Sequence, residues 1–350
     1  MTGERRRVSV VVAEDSVTAR HLLVTLLSDD PTIEVVGQAA NGLEALDLTR
    51  RLRPAVVVMD IRMPVMDGFE ATKRIMIEAP TPVVIVTAAA NAEVELGLRA
   101  VQLGALTLLP KPTAPGDPAF PAQAARLVSL VKAFSDVKVV RRHRDTDVIG
   151  PPGRAAAVDG TVGIVAVAAS TGGPAALYRL LERLPRANAT PFLVVQHISE
   201  GFTAGLVSWL SSGTPLPVKL AEHGEPLVGG TIYVAAEQRH LEVTDRGTLA
   251  LSDEPAVGGF RPSATVLFRS VAASYGPTAA VVVLTGMGRD GFDGVVAVRE
   301  AGGRVLAQDE ATSVVFGMPG AVVAAGLADV VGPVEVLADR LSGLLSRRLP

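Results

Sequence analysis

Short apolar runs alternate with amphipathic stretches along the first third of the chain. Runs of four to eight residues rich in β-branched side chains predict buried strands, and the amphipathic stretches between them predict helices. Alternating strands and helices imply a parallel sheet covered on both faces, so the sequence predicts an α/β domain over residues 1–134. The predicted strands are residues 8–13, 33–37, 55–59, 82–87 and 105–109.

The same alternation returns after residue 160. Its apolar runs predict strands at 162–168, 191–196, 231–235 and 279–285, and hence a second α/β domain over residues 161–350, doubly wound with a mainly parallel sheet. Residues 135–160 are polar and rich in turn-forming residues, with Arg141-Arg142-His143-Arg144-Asp145 followed by Gly150-Pro151-Pro152-Gly153. This composition predicts a linker between the two domains.

The composition narrows the class of protein. With 350 residues, 48% of them hydrophobic, the chain can build two packed cores. A net charge of -3 provides no overall field that would attract nucleic acid, and the lack of cysteine excludes disulfides and thiolate chemistry. No apolar export segment follows the charged residues 1–7, and glycine and proline interrupt the longest uncharged stretches. We therefore expect a cytoplasmic protein without membrane insertion.

Charged and hydroxyl side chains stand where the predicted strands of the first domain end. In a sheet with the flavodoxin-like strand order, the carboxyl ends of the strands meet at the edge where ligands bind. Crowded carboxylates there favour Mg²⁺, which prefers oxygen ligands. One carboxylate can attack a phosphoryl group, while a lysine and a hydroxyl hold the phosphoryl oxygens. The residues at these positions are Glu14 and Asp15 for the metal, Asp60 as nucleophile, and Thr87 and Lys111 for the phosphoryl oxygens.

Ser170 is the most informative residue of the second domain, because it follows an apolar run and precedes Thr171-Gly172-Gly173-Pro174. A hydroxyl at a strand-to-helix turn is exposed, with free backbone N–H groups nearby. Acyl transfer also requires a base and a group that orients the base. His197 follows the strand 191–196, and Asp290 follows the strand 279–285 through a glycine-rich segment. These positions predict a triad of Ser170, His197 and Asp290 at one sheet edge.

Other interpretations stay open from the residues alone. The turn at Ser170 also suits a helix N-cap or a phosphate-binding loop, although neither a complete Walker A motif nor Gly-x-Gly-x-x-Gly occurs there. Asp290 precedes a glycine and could be a turn residue. His223 and His240 lie in polar segments and are expected to be solvated or structural. The oxyanion hole could use the N–H groups after Ser170, beginning at Thr171, or those of the Met287 loop.

The first domain resembles the response-regulator receiver family. The resemblance rests on the motifs Glu14-Asp15-Ser16, Met59-Asp60-Ile61-Arg62-Met63-Pro64, Met66-Asp67-Gly68, Thr87-Ala88 and Lys111-Pro112. It implies phosphorylation of Asp60 by a histidine kinase and Mg²⁺ held by Asp15, Asp60 and the Arg62 carbonyl. It also implies a surface change centred on Thr87. Receivers usually carry an aromatic residue where this chain has Leu108, so we expect the coupling of Thr87 to the outer face to differ.

The second domain resembles the catalytic domain of the chemotaxis protein-glutamate methylesterase/glutaminase family (CheB-type). The resemblance maps the family's catalytic residues onto Ser170, His197 and Asp290, with Met287 beside the site. It implies hydrolysis of glutamate methyl esters on the cytoplasmic helices of chemoreceptors, with release of methanol, and deamidation of certain glutamines. The matching motifs are Ala169-Ser170-Thr171-Gly172-Gly173-Pro174, Gln196-His197-Ile198, Gly201-Phe202-Thr203, Arg261-Pro262-Ser263, Leu267-Phe268-Arg269-Ser270-Val271-Ala272, Leu284-Thr285-Gly286-Met287-Gly288-Arg289-Asp290-Gly291 and Ala307-Gln308-Asp309-Glu310 to Gly317-Met318-Pro319.

The chain departs from that family at positions that we expect to flank the cleft. Ala168 replaces a usual glycine, and Ser199-Glu200 replaces a usual Pro-Pro. Ala236-Glu237 stands where Pro-Gly is usual, and Ala264-Thr265 where Val-Asp is frequent. Because the three proposed catalytic residues are present, we expect the chemistry to be retained. The departures leave the choice of substrate open, and a paralogue acting in another chemosensory-like pathway is an alternative.

The two halves together predict a phosphorylation-regulated serine hydrolase of two-component chemotaxis signalling. We expect Mg²⁺ to serve phosphorylation and the hydrolase to need no cofactor. The expected partners are chemoreceptor cytoplasmic domains and a histidine kinase, without nucleic acid. Two alternatives are a paralogue outside chemotaxis and a catalytically inactive adaptor or phosphate sink. A DNA-binding regulator is disfavoured because the second half has no basic recognition helix.

Overall fold

The chain forms an N-terminal and a C-terminal compact unit in a computed structural model. The structure describes residues 7–87, 91–135, 137 and 162–345. The predicted linker, 135–160, lies outside the described residues except for residues 135 and 137, and its assignment stays a prediction. No described helix combines the length and the apolar character that crossing a membrane requires.

The N-terminal unit is a five-stranded parallel sheet in the order β2-β1-β3-β4-β5. This order confirms the flavodoxin-like arrangement predicted from the sequence. The five predicted strands are all present, with ends shifted by at most two residues. The elements are β1 Val8–Ala13, α1 Val17–Ser28, β2 Ile33–Ala39, α2 Gly42–Leu52, β3 Val56–Asp60, α3 Gly68–Glu78, β4 Val83–Thr87, α4 Asn91–Leu103, β5 Thr107–Pro110 and α5 Phe120–Phe134.

The apolar runs form strands here because helices cover both faces of the sheet. Every residue of β3 and β4 is buried, as expected for central strands of a parallel sheet. Short polar side chains begin three of the helices: Ser16, Asn41 and Asp67 accept hydrogen bonds from backbone N–H groups in the first turns of α1, α2 and α3. These caps fix where each strand-to-helix loop ends, and hence the edge on which the acidic residues lie.

The C-terminal unit contains a seven-stranded sheet in the order β14-β13-β12-β6-β7-β9-β8. Every neighbouring pair in it is parallel, and β10 and β11 form a separate antiparallel hairpin. The predicted α/β class with a mainly parallel sheet is therefore confirmed. The elements are β6 Ile164–Ala169, α6 Gly173–Leu181, β7 Phe192–Gln196, α7 Thr203–Gly213, β8 Val218–Leu220, β9 Ile232–Val234, β10 His240–Val243, β11 Leu249–Ser252, α8 Ala264–Tyr275, β12 Ala279–Val283, α9 Phe292–Glu300, β13 Arg304–Gln308, α10 Met318–Ala324, β14 Val330–Gly332 and α11 Val334–Leu345.

The strand order reverses at β6. The chain runs from β6 to β7 on one side and later returns to add β12, β13 and β14 on the other side. In open α/β sheets, ligands bind in the crevice beyond the carboxyl ends of the strands at such a switch point. The segment that follows β6, beginning with Ser170, lies at this crevice.

Candidate functional site

Three carboxylates lie close together at the carboxyl edge of the N-terminal sheet. Glu14 and Asp15 follow β1, and Asp60 ends β3; one oxygen from each lies within 4.8 Å of the others. Glu14 and Asp60 are buried, whereas Asp15 is exposed. A set of carboxylate oxygens that is partly open to solvent fits Mg²⁺. The structure therefore brings together the acidic residues predicted from the sequence.

Lys111 lies between two of these carboxylates. Its Nζ is 2.9 Å from Asp60 Oδ2 and 2.9 Å from Glu14 Oε2. Burial acts to lower the pKa of Lys111, but the two carboxylates outweigh it and raise that pKa above its usual value. Burial raises the pKa of both Asp60 and Glu14, and Lys111 opposes the rise without cancelling it. The ammonium group partly compensates the charge of the acidic cluster.

Thr87 and Gly68 complete this edge around Asp60. Asp60 pairs with Val86 across β3 and β4, so Thr87 stands one residue further along the neighbouring strand, and it is fully buried. A Cβ atom on Gly68 would lie 2.0 Å from the carbonyl oxygen of Asp60, and Gly68 N donates to Ile61 O at 2.9 Å. Only glycine fits this close approach at the start of α3.

Arg62 and Leu108 are two further receiver residues that the sequence singled out. Arg62 lies two residues beyond β3 with its side chain exposed, and the metal-binding role of its carbonyl stays a prediction. Leu108 is buried on β5 and packs under α4: a Cβ atom on Gly97 would lie 2.5 Å from Leu108 Cδ1. The aliphatic side chain therefore occupies the space beneath this helix.

Ser170 and His197 lie side by side beyond the ends of β6 and β7. Ala169 pairs with Gln196 in the parallel register, and His197 N donates to Ala169 O at 2.9 Å. Neighbouring strands are about 5 Å apart, and residues in register project to the same face. Ser170 N donates to Thr285 O at 3.0 Å on the opposite side. The structure thus places Ser170 between the end of β7 and the segment after β12.

Gln196 connects the backbones of Ser170 and His197. Its Nε2 donates to Ser170 O at 2.8 Å and to His197 O at 2.9 Å. Gln196 is buried, and a Cβ atom on Gly173 would lie 2.1 Å from its Oε1, so glycine is required at the start of α6. No role for Gln196 was predicted from the sequence, where its signal was a polar residue at the end of an otherwise apolar strand.

His197 is held on one ring nitrogen and free on the other. Nε2 lies 2.9 Å from Asp290 Oδ2, and the two side chains are 7% and 2% exposed. The Phe260 ring stacks on the imidazole with 4.1 Å between ring centroids and 7° between the planes. Nδ1 is buried and has no hydrogen-bond partner among the described residues, nor does Ser170 Oγ. The imidazole is therefore oriented by Asp290 and Phe260, with Nδ1 available to accept a proton.

Asp290 lies in the loop between β12 and α9, and its carboxylate contacts the N-terminus of α8, where several donors bind it. Oδ1 accepts from Ser263 Oγ at 2.7 Å, Thr265 Oγ1 at 3.0 Å and Gly291 N at 2.8 Å, and Oδ2 accepts from Ala264 N at 2.7 Å. Burial alone would raise the pKa of Asp290, but the hydrogen bonds from His197, Ser263 and Ala264 lower it to about 2. Asp290 is therefore ionised at neutral pH.

Two departures from the family pattern take part in this arrangement. Ala264 and Thr265, which the sequence analysis placed at the flank of the cleft, both donate directly to Asp290. His240 stabilises the start of α8. It is fully buried, its Nδ1 accepts from Ser263 N at 3.1 Å, and its Nε2 lies 3.1 Å from Pro255 O. These contacts confirm a structural role for His240, while His223 is exposed.

Two backbone N–H groups near Ser170 are free of hydrogen bonds in the described parts of the chain. Neither Thr171 N nor Met287 N has an acceptor within the described parts of the chain. Gln196 Nε2 donates to Ser170 O at 2.8 Å and so fixes the peptide group that carries Thr171 N–H, while Thr285 Oγ1 donates to Thr171 O at 2.9 Å in the next peptide group. A Cβ atom on Gly286 would lie 2.8 Å from Ser170 Cβ, which brings the Met287 loop against the serine. Both groups that the sequence suggested for an oxyanion hole are thus near Ser170.

These features define a two-domain protein: a receiver-type unit with an acidic cluster, and an α/β unit with a serine, a histidine and an aspartate at one crevice. The family descriptions that match are the CheB methylesterase, over residues 165–341, and the response regulator receiver domain, over residues 10–117.

Curated relatives match along nearly the whole chain. A "protein-glutamate methylesterase/protein-glutamine glutaminase 4" from Myxococcus xanthus is 52% identical, covering 95% of this chain and 96% of that protein. A protein of the same name, numbered 3, from Anaeromyxobacter dehalogenans is 53% identical, covering 97% and 100%. The crystal structure of the Thermotoga maritima CheB methylesterase catalytic domain is 37% identical with a TM-score of 0.51, covering 53% of this chain and all of that one. The chain belongs to the protein-glutamate methylesterase/protein-glutamine glutaminase family, which confirms the resemblance deduced from the motifs.

Proposed function

We propose that the chain is a serine hydrolase that releases methanol from glutamate methyl esters on the cytoplasmic domains of chemoreceptors, and that phosphorylation of its receiver regulates this reaction. Deamidation of glutamine is the second reaction, since the relatives carry both activities in their names. The observation that carries the proposal is the 2.9 Å contact of His197 Nε2 with Asp290, with Nδ1 unpartnered among the described residues and with His197 and Ser170 each one residue beyond the register pair of Ala169 and Gln196.

The proposed reaction uses Nδ1 of His197 as the base. Nδ1 takes the proton of Ser170 Oγ as this oxygen attacks the ester carbonyl, and it then gives the proton to the leaving methoxy group, which departs as methanol. A water molecule, deprotonated by the same nitrogen, hydrolyses the acyl-enzyme and releases the glutamate carboxylate. Asp290 holds the imidazole through Nε2 and stabilises the imidazolium that forms.

The tetrahedral intermediate needs donors for its negative oxygen. Thr171 N–H and Met287 N–H are the groups we assign, because neither has an acceptor among the described residues, Thr171 directly follows Ser170, and Gly286, which precedes Met287, lies against Ser170. The hydrogen bonds from Gln196 Nε2 and Gly173 N to Ser170 O orient the first of these peptide groups in advance. Removing one oxyanion donor costs a hydrolase about 10²–10³-fold in rate.

In the receiver, Asp60 is the proposed phosphorylation site. Lys111 lies 2.9 Å from Asp60 and would hold the phosphoryl oxygens together with Thr87. Glu14, Asp15, Asp60 and the Arg62 carbonyl are the groups that would hold Mg²⁺, whose charge would offset that of the phosphoryl group. The expected phosphodonor is a histidine kinase.

The test is methanol release from a peptide that contains a γ-methyl glutamate, measured with the full chain. We expect hydrolysis by the wild type and a loss on the order of 10⁴-fold or more for Ser170→Ala. Ser211→Ala, which removes an exposed hydroxyl on α7 bonded to Val207 O, is the matched control and should hydrolyse at the wild-type rate.

A second arm adds a small phosphodonor with Mg²⁺, and Asp60→Asn serves as its control. We expect the phosphodonor to change the rate for the wild type and not for Asp60→Asn. No methanol from the wild type would favour an inactive adaptor or phosphate sink, and an undiminished rate for Ser170→Ala would reject the proposed nucleophile.

A further inference from the structure

A groove lies beside His197 in the C-terminal unit. Gln196 and Ile198, the residues on either side of His197, line one wall, and Arg261 and Pro262 line another. Arg261 directly follows Phe260, the residue whose ring stacks on the His197 imidazole. A group bound in this groove would therefore be close to the reacting ester without touching the serine.

Within the described residues, Arg261 donates hydrogen bonds from one nitrogen of its guanidinium group. Nη1 donates to the carbonyl oxygens of Asp253 at 3.0 Å and Glu254 at 3.3 Å. Nε is buried without a hydrogen-bond partner, and Nη2 has none among the described residues. Leaving a buried donor unpaired is unfavourable, so the unpaired Nε of Arg261 calls for an explanation. Nε and Nη2 together form the edge of a guanidinium that binds a carboxylate through two parallel hydrogen bonds.

The acidic residues of the groove do not neutralise Arg261. The Glu237 carboxylate accepts from Gly201 N at 2.8 Å, Thr203 N at 2.8 Å and Thr203 Oγ1 at 2.6 Å, and so is fully engaged at the start of α7. Burial acts to raise the pKa of Glu237, but these hydrogen bonds lower it overall. Glu200 is exposed at the rim. Arg261 is therefore a cation whose carboxylate-binding edge is not occupied by any acidic side chain in the described parts of the chain.

We propose that Arg261 determines substrate specificity by binding a carboxylate side chain that lies close to the methyl ester on the substrate. This inference rests on the proposed function and names the substrate class more closely, as an acidic segment. On a helical substrate, residues three and four positions away share a face with the reacting side chain. A glutamate at such a position would reach Arg261 while the ester lies at Ser170.

The test compares two helix-forming peptides that share a central γ-methyl glutamate. One carries glutamate three and four positions to either side, and the other carries glutamine at the same positions. We expect the wild type to prefer the acidic peptide about tenfold in kcat/KM, as for a hydrogen bond to a charged group. Arg261→Gln should remove this preference mainly through KM on the acidic peptide, with kcat/KM on the neutral peptide changed less than about twofold.

Two control variants separate recognition from structure. Arg239→Gln removes a nearby arginine whose guanidinium already contacts the Asp253 carboxylate and Leu251 O, and it should keep the preference. Arg261→Lys keeps the positive charge but lacks the planar guanidinium group that forms two parallel hydrogen bonds with a carboxylate. This variant should fold and retain a reduced preference for the acidic peptide. If Arg261→Gln fails to fold, the comparison of Arg261→Lys with the wild type decides: a preference unchanged by lysine rejects the bidentate site.

The proposal is overturned if the wild type shows no preference, or if Arg261→Gln slows both peptides equally. The latter result would make Arg261 a structural support of the segment at Asp253 and Glu254. Neither result touches the hydrolase itself. Hydrolysis of both peptides by Ser170→Ala at the wild-type rate would instead reject the proposed function.

Discussion

Two buried aspartates, each at the carboxyl edge of a parallel sheet, show how local donors set the charge state of a side chain. Burial dominates at Asp60, where one ammonium group does not offset it, and the pKa rises. At Asp290, burial acts in the same direction, but donors from His197, Ser263 and the start of α8 reverse it and bring the pKa to about 2. The same residue type at the same kind of position thus has two different environments.

The low pKa of Asp290 predicts a pH-dependent contribution to stability. Because the folded pKa of about 2 lies below the usual aspartate pKa of 3.8, the ionised carboxylate stabilises the fold above about pH 4. That stabilisation is lost as the pH falls from about 4 towards 2. The shift corresponds to about 2 kcal/mol at neutral pH.

Denaturant unfolding of wild type and Asp290→Asn at pH 7 and pH 3 measures this effect. We expect the variant to be destabilised by at least about 2 kcal/mol at pH 7, and the difference to shrink at pH 3. Asp293→Asn, at an exposed position three residues away, should show no comparable loss. A difference between wild type and Asp290→Asn that stays constant with pH would contradict this account of Asp290.

At the scale of elements, the separation of Ser170 and His197 depends on the ends of β6 and β7. Gln196 holds both carbonyl groups with one amide, at 2.8 Å and 2.9 Å. Gln196→Met removes both donors while keeping a side chain of similar length. We predict a fall in kcat of about 10²-fold with a small change in KM, because a misplaced base slows the proton transfer more than it weakens binding.

Steady-state kinetics on the methyl ester peptide, together with the thermal unfolding midpoint, test this prediction. Gln38→Met, at an exposed position on β2, is the control and should leave both kinetic constants unchanged. If Gln196→Met keeps the wild-type kcat and lowers only the unfolding midpoint, then Gln196 stabilises the fold without positioning the two side chains.

For the whole molecule, the sequence predicted both sheets because buried parallel strands are nearly continuous apolar runs. The strands it did not predict include β8 and β14, each three residues long at the edges of the seven-stranded sheet and not fully buried. Their pairing depends on neighbours that are distant in the chain, and a three-residue segment carries no measurable period.

For the candidate site, the sequence was enough to propose the three main residues but not the residues that orient them. Ser170, His197 and Asp290 could be chosen because each follows an apolar strand or the loop after one. The residues that orient them could not be chosen: Phe260 and Thr265 lie in or next to the segment that begins α8 and reach His197 and Asp290 only through the tertiary fold. Periodicity carries no information about such contacts, whereas the match to a family of two-domain relatives covers both units.

The central claim is that Ser170 and His197 act as one unit in ester hydrolysis. The most direct measurement is methanol release by the full chain and by Ser170→Ala, His197→Ala and the double variant. Residues that act together lose activity non-additively, so each single variant and the double variant should fall to a similar residual rate, on the order of 10⁴-fold or more below the wild type. A nearly normal rate for His197→Ala, or losses that multiply in the double variant, would contradict the claim.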